Sequence, residues 1–215
     1  MTIKLIGFNA SPNTLRVLYV LKELEIPYEY EVPSNFAHIK SPEFLKMNPF
    51  GRVPVLIDGD FTIYESRPIC HYLIREYHGK YNSTLLIPSD IRKASLVGQY
   101  LSTETCDYTI PVGKIVMQEV ISRLYGGSPD PEKVKEARVE VEKVLDIYEK
   151  ILEGKDYLVG EFSFADISHC PGSYLAAVKG GHKDLWDARP NVKRWIENLF
   201  ARDAWKKTLE ETGNN

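Results

Sequence analysis

Apolar and polar positions follow two rhythms along this chain, and the rhythm changes near residue 80. Ile3 to Phe8 is a short apolar run of the kind that fills a buried central strand. Ser11-Pro12 then opens a helix, with serine as cap and proline at the first helical position, where its missing N–H is no loss. Val17, Val20, Leu21 and Leu24 give that helix one apolar face at i, i+3, i+4, i+7 spacing. Pro27 stops it, and Tyr28 to Val32 reads as a second strand. Pro42 to Met47 predicts a short helix after a polar loop. Val53 to Ile57 and Phe61 to Tyr64 flank Asp58-Gly59, which supplies the positive φ that a tight hairpin needs. A helix from Ser66 to about Tyr77 closes this part.

Residues 79–90, with Gly79, Asn82, Ser83 and Pro88, read as a linker, and nothing after them looks like a strand. Asp130-Pro131 starts a long helix whose apolar positions Val134, Ala137, Val141, Val144, Leu145, Tyr148, Ile151 and Leu152 keep helical spacing. Gly154 ends it. Ser163-Phe164-Ala165-Asp166 is a capping box with aspartate in place of the usual Glu or Gln, and Phe162 and Ile167 hold the staple positions around it. That element is read as helix initiation, not chemistry. The expected division is a mixed α/β domain over 1–80 and an all-helical domain over 89–215.

With 215 residues there is ample length for a real core. Lys+Arg 27 against Asp+Glu 30 leaves a net charge of −3, with no basic run or basic-aromatic patch, so nucleic-acid binding has no electrostatic support. The apolar runs fall short of the roughly 18 residues that a membrane span needs. The opening Met1-Thr2-Ile3-Lys4 turns polar too early for a secretory signal. Cys70, Cys106 and Cys170 are odd in number and widely spaced, which suits reduced thiols in a cytoplasmic setting and excludes a zinc ligand set.

The most informative stretch is Asn48-Pro49-Phe50-Gly51-Arg52-Val53-Pro54-Val55-Leu56-Ile57, followed by Tyr64-Glu65-Ser66-Arg67. Pro54 sits inside an apolar run that otherwise reads as a strand, and proline donates nothing to a ladder, so it belongs at the strand's first position, often after a cis bond. Glu65-Ser66 falls at a helix start, where N–H groups and the dipole favour an anion. One backbone edge and one anion socket beside it suit a small peptide carrying a carboxylate.

In order and spacing, Ser11 with Arg16, Lys40-Ser41-Pro42-Glu43, Asn48-Pro49-Phe50-Gly51, Val53-Pro54, Tyr64-Glu65-Ser66-Arg67 and Phe164-Ala165-Asp166 resemble the cytosolic glutathione transferases over essentially the whole chain. The phi class of plants and its fungal relatives are the most similar. The resemblance implies a thioredoxin-like N-terminal domain, an all-helical C-terminal domain, a homodimer with Phe50 inserted into the partner, and glutathione as co-substrate without metal or permanent cofactor. It implies that Ser11 donates a hydrogen bond to the glutathione sulfur and favours thiolate; Asn13 is the reserve, as in fungal nitrogen-regulator-like relatives. It further implies that the Val53 backbone, ahead of Pro54, pairs with the cysteinyl unit, that Glu65 and Ser66 hold the γ-glutamyl end, and that Lys40 balances the glycyl carboxylate.

Two positions depart from the family pattern. Arg52 stands where glutamine is usual, and Ile39 where phi enzymes often place a histidine; His38 lies one position off. For a hydrophobic electrophile, Phe8, Pro12, Phe36, Cys106, Tyr108, Pro111, Val112 and Ile115 are candidate lining residues, with core packing as the alternative. Three other readings stay open: a peroxidase or isomerase on the same site, a ligandin-like carrier with little turnover, and an interaction protein.

Overall fold

The computed structural model describes residues 3–214. Its contacts divide the chain into two units, one reaching to Leu85 and taking up the segment from Asp203, the other Leu86–Arg202. The expected division ran the helical domain through 203–215, whereas by contacts the segment from Asp203 groups with the first unit.

The first unit is built from β1 (Ile3–Ile6), α1 (Pro12–Glu23), β2 (Tyr28–Glu31), α2 (Pro42–Met47), β3 (Val55–Asp58), β4 (Phe61–Tyr64) and α3 (Ser66–Tyr77). The strands form a four-stranded sheet in the order β2-β1-β3-β4. β1 pairs parallel with β2 and antiparallel with β3, and β3 pairs antiparallel with β4 across the Asp58-Gly59 turn. β1 is central, which is why Ile3, Leu5 and Ile6 are all buried. This is the thioredoxin-like layout that the pattern of elements predicts.

α1 buries more than the single face expected of it. Leu15, Val17, Leu18, Tyr19, Val20 and Leu21 are all fully buried. The reason is that the C-terminal helix α11 (Asp203–Thr212), as well as α3, packs on α1. Trp205 sets its ring 5.3 Å from that of Tyr19, and Glu211 pairs with Lys22 at 2.9 Å. Asn214 Nδ2 donates to the Asn9 carbonyl at 2.8 Å and holds the loop ahead of α1.

The second unit is helical: α4 (Ile91–Thr103), α5 (Thr109–Ile115), α6 (Ser122–Leu124), α7 (Pro131–Ile151), α8 (Phe164–Tyr174), α9 (Lys183–Asp187) and α10 (Pro190–Ala201); α11 (Asp203–Thr212) follows. Wide π-turns at Glu104–Tyr108 and Val116–Ile121 join α4, α5 and α6 end to end. Asp130 caps α7 by accepting the N–H groups of Glu132 and Lys133. No helix among the described residues is long and apolar enough to cross a membrane.

Asp166 does more than start α8. It is fully buried and accepts four hydrogen bonds, from the Ser163 N–H and hydroxyl, the Leu158 N–H and Trp195 Nε1. One carboxylate thereby ties the α7–α8 connection and α10 to the helix it caps. Burial pushes its pKa up to about 6, against the pull of those donors.

Candidate glutathione site

The N-terminus of α1 carries the first cluster. Ser11 caps it from extended backbone, and its Oγ accepts the Thr14 N–H at 3.3 Å. With that lone-pair contact made, the hydroxyl hydrogen of Ser11 has no acceptor among the described residues. The loop before it is tight: a Cβ at Gly7 would sit 2.3 Å from Thr14 Cγ2, so only glycine lets β1 turn this closely into α1. The Ser11 N–H donates to the Phe8 carbonyl at 3.1 Å, which sets Phe8 beside the cap. Its ring lies 5.1 Å from that of Phe36, itself half exposed.

The second cluster is the start of α3. Glu65 precedes the helix at φ 71°, a left-handed conformation that a non-glycine residue holds at a cost of roughly 1–3 kcal/mol. That turn leaves the Glu65 carboxylate exposed while Ser66 is buried. The first intrahelical bond runs from the Ile69 N–H to the Glu65 carbonyl, so the Ser66 N–H precedes the ladder, and Pro68 has no N–H to offer. Arg16, reaching from α1, joins the two helix starts: its Nη1 donates to Asn13 Oδ1 and to Ser66 Oγ, each at 2.7 Å.

The third element is the loop before β3. Asn48 braces it by donating to the Arg52 carbonyl at 2.7 Å and accepting the Phe50 N–H at 3.1 Å. Lys40 Nζ donates to the Gly51 carbonyl at 2.7 Å and that of Phe50 at 3.2 Å. Gly51 has φ +57°, and a Cβ there would meet the Ile39 carbonyl at 2.8 Å, so glycine is required. The Val53-Pro54 peptide is cis, as the sequence led us to expect. The ladder begins only at Val55 and runs to Asp58, so the strand starts two residues later than expected. The Val53 side chain packs on Ile6, Ile39, Phe44 and Val55, while its N–H and carbonyl make no hydrogen bond to another described residue.

Ser11, Asn13, Lys40, Arg52, Val53, Pro54, Glu65 and Ser66 therefore all lie in the first unit, on the loops and helix starts around β1 and β3. Arg52 is exposed. Tyr108 and Ile115, the other two candidate residues, lie in the second unit. Tyr108 is 1 % exposed in the helical core, where its hydroxyl accepts from Trp186 Nε1 at 3.0 Å and bonds Ser173 Oγ at 2.7 Å. Ile115 is fully buried. Both contribute to packing because the joined α4–α6 helix turns them inward, which helical spacing alone did not reveal.

The first unit thus joins a thioredoxin-like sheet to a cis-proline edge and a serine-capped first helix. Residues 5–81 match the family described as "Glutathione S-transferase, N-terminal domain", and residues 114–203 that described as "Glutathione S-transferase, C-terminal domain". A glutathione S-transferase of Hyoscyamus muticus is 36% identical over 215 residues, covering 98% of this chain and 99% of its own. The structure of glutathione transferase F2 from Populus trichocarpa superposes with a TM-score of 0.92 at 29% identity, covering 99% of this chain and 100% of that one. Glutathione S-transferase I from mais, solved with an atrazine glutathione conjugate, gives a TM-score of 0.86 at 36% identity, with 99% of each chain covered. The chain belongs to the glutathione S-transferase family, on the side of its phi-class plant members, and is a glutathione transferase.

Proposed function

We propose that glutathione lies across the first unit as a thiolate held at the N-terminus of α1, with Ser11 donating the hydrogen bond to sulfur. The observation that carries this is the Ser11 hydroxyl, which accepts the Thr14 N–H and whose own hydrogen has no acceptor among the described residues. The positive end of α1 adds to it; helix N-termini lower thiol pKa values from about 8.5 and raise the fraction of nucleophilic thiolate. The thiol proton leaves to solvent, the sulfur attacks an electrophilic carbon, and a C–S bond replaces the bond to the leaving group. Ser11 stays a donor throughout and is never the nucleophile.

The rest of the peptide follows from the neighbouring groups. The Val53 N–H and carbonyl pair with the cysteinyl unit as a one-residue strand addition. Glu65 faces the γ-glutamyl ammonium, and the Ser66 hydroxyl and N–H face its carboxylate. Lys40, two of whose three donors hold Phe50 and Gly51, has one left for the glycyl carboxylate, with Arg52 beside it. Phe8 and Phe36 offer aromatic surface to a hydrophobic electrophile. Phe50, 60% exposed, is the residue proposed to insert into a second copy in a homodimer, and the cytoplasm is the proposed compartment.

Conjugation of a chlorinated nitroaromatic by wild type and Ser11→Ala, with glutathione affinity measured on both, tests the reading. Turnover should fall at least ~10-fold in the variant, about 1.4 kcal/mol of barrier, at near-unchanged affinity. Equal turnover would transfer the thiolate to Asn13. Tight binding without turnover in either protein would point to a carrier.

A further inference from the structure

Arg16 brings a permanent charge into the interior. It is 2% exposed, and the reaction outlined above assigns it no part. A buried guanidinium is costly unless its donors are matched, and its nitrogens can only donate. In each of these Nη1 contacts the partner oxygen is therefore an acceptor: Asn13 Oδ1 and Ser66 Oγ, each at 2.7 Å. This has a consequence for each partner. Ser66, accepting from Arg16, must send its hydroxyl hydrogen elsewhere. The acceptor it finds is Asn13 Oδ1 at 3.4 Å, long for an O–H···O bond and easily exchanged for a carboxylate. Asn13, whose Oδ1 takes both contacts, has its amide orientation fixed, so its Nδ2 hydrogens turn away from Arg16.

We propose that Arg16 is the positioning residue for the γ-glutamyl carboxylate of glutathione: it compels Ser66 to act as donor and sets a fixed positive charge behind the first turn of α3. The inference rests on the reading that Ser66 receives that carboxylate. The geometry separates it from a role in packing alone, because an apolar side chain of similar length could fill the space but would release Ser66 to rotate. It also distinguishes Arg16 from Ser11, which acts at the sulfur rather than at the peptide's far end.

The experiment is calorimetric binding of two probes, glutathione and the tripeptide lacking its γ-glutamyl α-carboxylate. They are measured on wild type, Arg16→Met, Arg16→Lys, Ser66→Ala and the Arg16→Met/Ser66→Ala double variant, below the unfolding midpoint of each. Wild type should prefer glutathione by at least ~10-fold, the range of a charge-assisted hydrogen bond. Arg16→Met should cut that preference to within ~3-fold, Ser66→Ala should do the same, and the double variant should lose little more, because both substitutions remove one interaction. In steady-state assays Arg16→Met should raise KM for glutathione while kcat at saturation stays within ~2-fold.

A wild type that ignores the missing carboxylate overturns the placement of the γ-glutamyl end, and this inference with it. A wild type that prefers glutathione beside an Arg16→Met that keeps the full preference overturns the role of Arg16 alone. Additive losses in the double variant do the same, since Arg16 would then act without Ser66. Should Arg16→Met not fold, Arg16→Lys decides: it keeps the charge but loses the fork, so a preference reduced part-way supports the proposal and an unchanged one refutes it.

Discussion

The two units of this molecule treat buried polar groups in opposite ways. In the helical unit the buried polar side chains of Asp166, His169, Tyr108 and Ser173 are matched by partners within that unit. Asp166 takes four donors. His169 donates from Nδ1 to the Ala165 carbonyl at 2.7 Å and accepts the Tyr148 hydroxyl at Nε2 at 2.8 Å, which fixes its tautomer. Tyr108, Ser173 and Trp186 form a closed chain that ends on the His169 carbonyl. In the first unit the polar groups around the helix starts hold capacity in reserve: the Ser11 hydrogen, the Ser66 N–H and the Val53 backbone. Saturated networks rigidify a core, whereas donors and acceptors held in place but unmatched remain available to a partner. The helical unit's polarity is architectural, and that of the first unit is, on the function proposed above, chemical.

Substitutions can break this contrast, the largest effect first. Asp166→Ala leaves four buried donors without an acceptor and should cost on the order of 3–5 kcal/mol in urea unfolding, with KM for glutathione unchanged in the protein that folds. A raised KM instead would mean that the helical network reaches the site.

The same carboxyl should give a pH signature. Its pKa rises from 3.8 in the unfolded chain to about 6 in the folded protein, so the folded state holds a proton that the unfolded state lacks between those values. Its contribution is fully present below the unfolded value and is lost as pH rises through about 6. Between pH 8 and 4, wild type should therefore gain on the order of 3 kcal/mol relative to Asp166→Asn, a comparison in which the other carboxyls cancel. Parallel stability curves for the two proteins would refute it. Smaller still is Tyr108→Phe, which strands the Trp186 N–H and should cost about 1–3 kcal/mol with no change in turnover. Lost turnover would instead assign Tyr108 to the electrophile site.

What the sequence determined by itself was local. Ser11-Pro12, Ser41-Pro42 and Asp130-Pro131 each start the helix that their spacing predicts, because a cap reaches only three residues along its own chain. Asp58-Gly59 makes the hairpin and Val53-Pro54 the cis bond for the same reason: the constraint lies in one or two dihedrals. Resemblance in residue order was enough to recognise the family. Tertiary structure alone decided the contacts that cross long spans of chain. Arg16 meets Ser66 across 50 positions, Asp166 meets Trp195 across 29, and α11, from the far end of the chain, packs on α1. Tyr108 and Ile115 carry the same ambiguity, since an apolar stripe on a helix states which side is buried but not against what. Such pairings depend on the summed packing of all elements at once, and no window of sequence contains that sum.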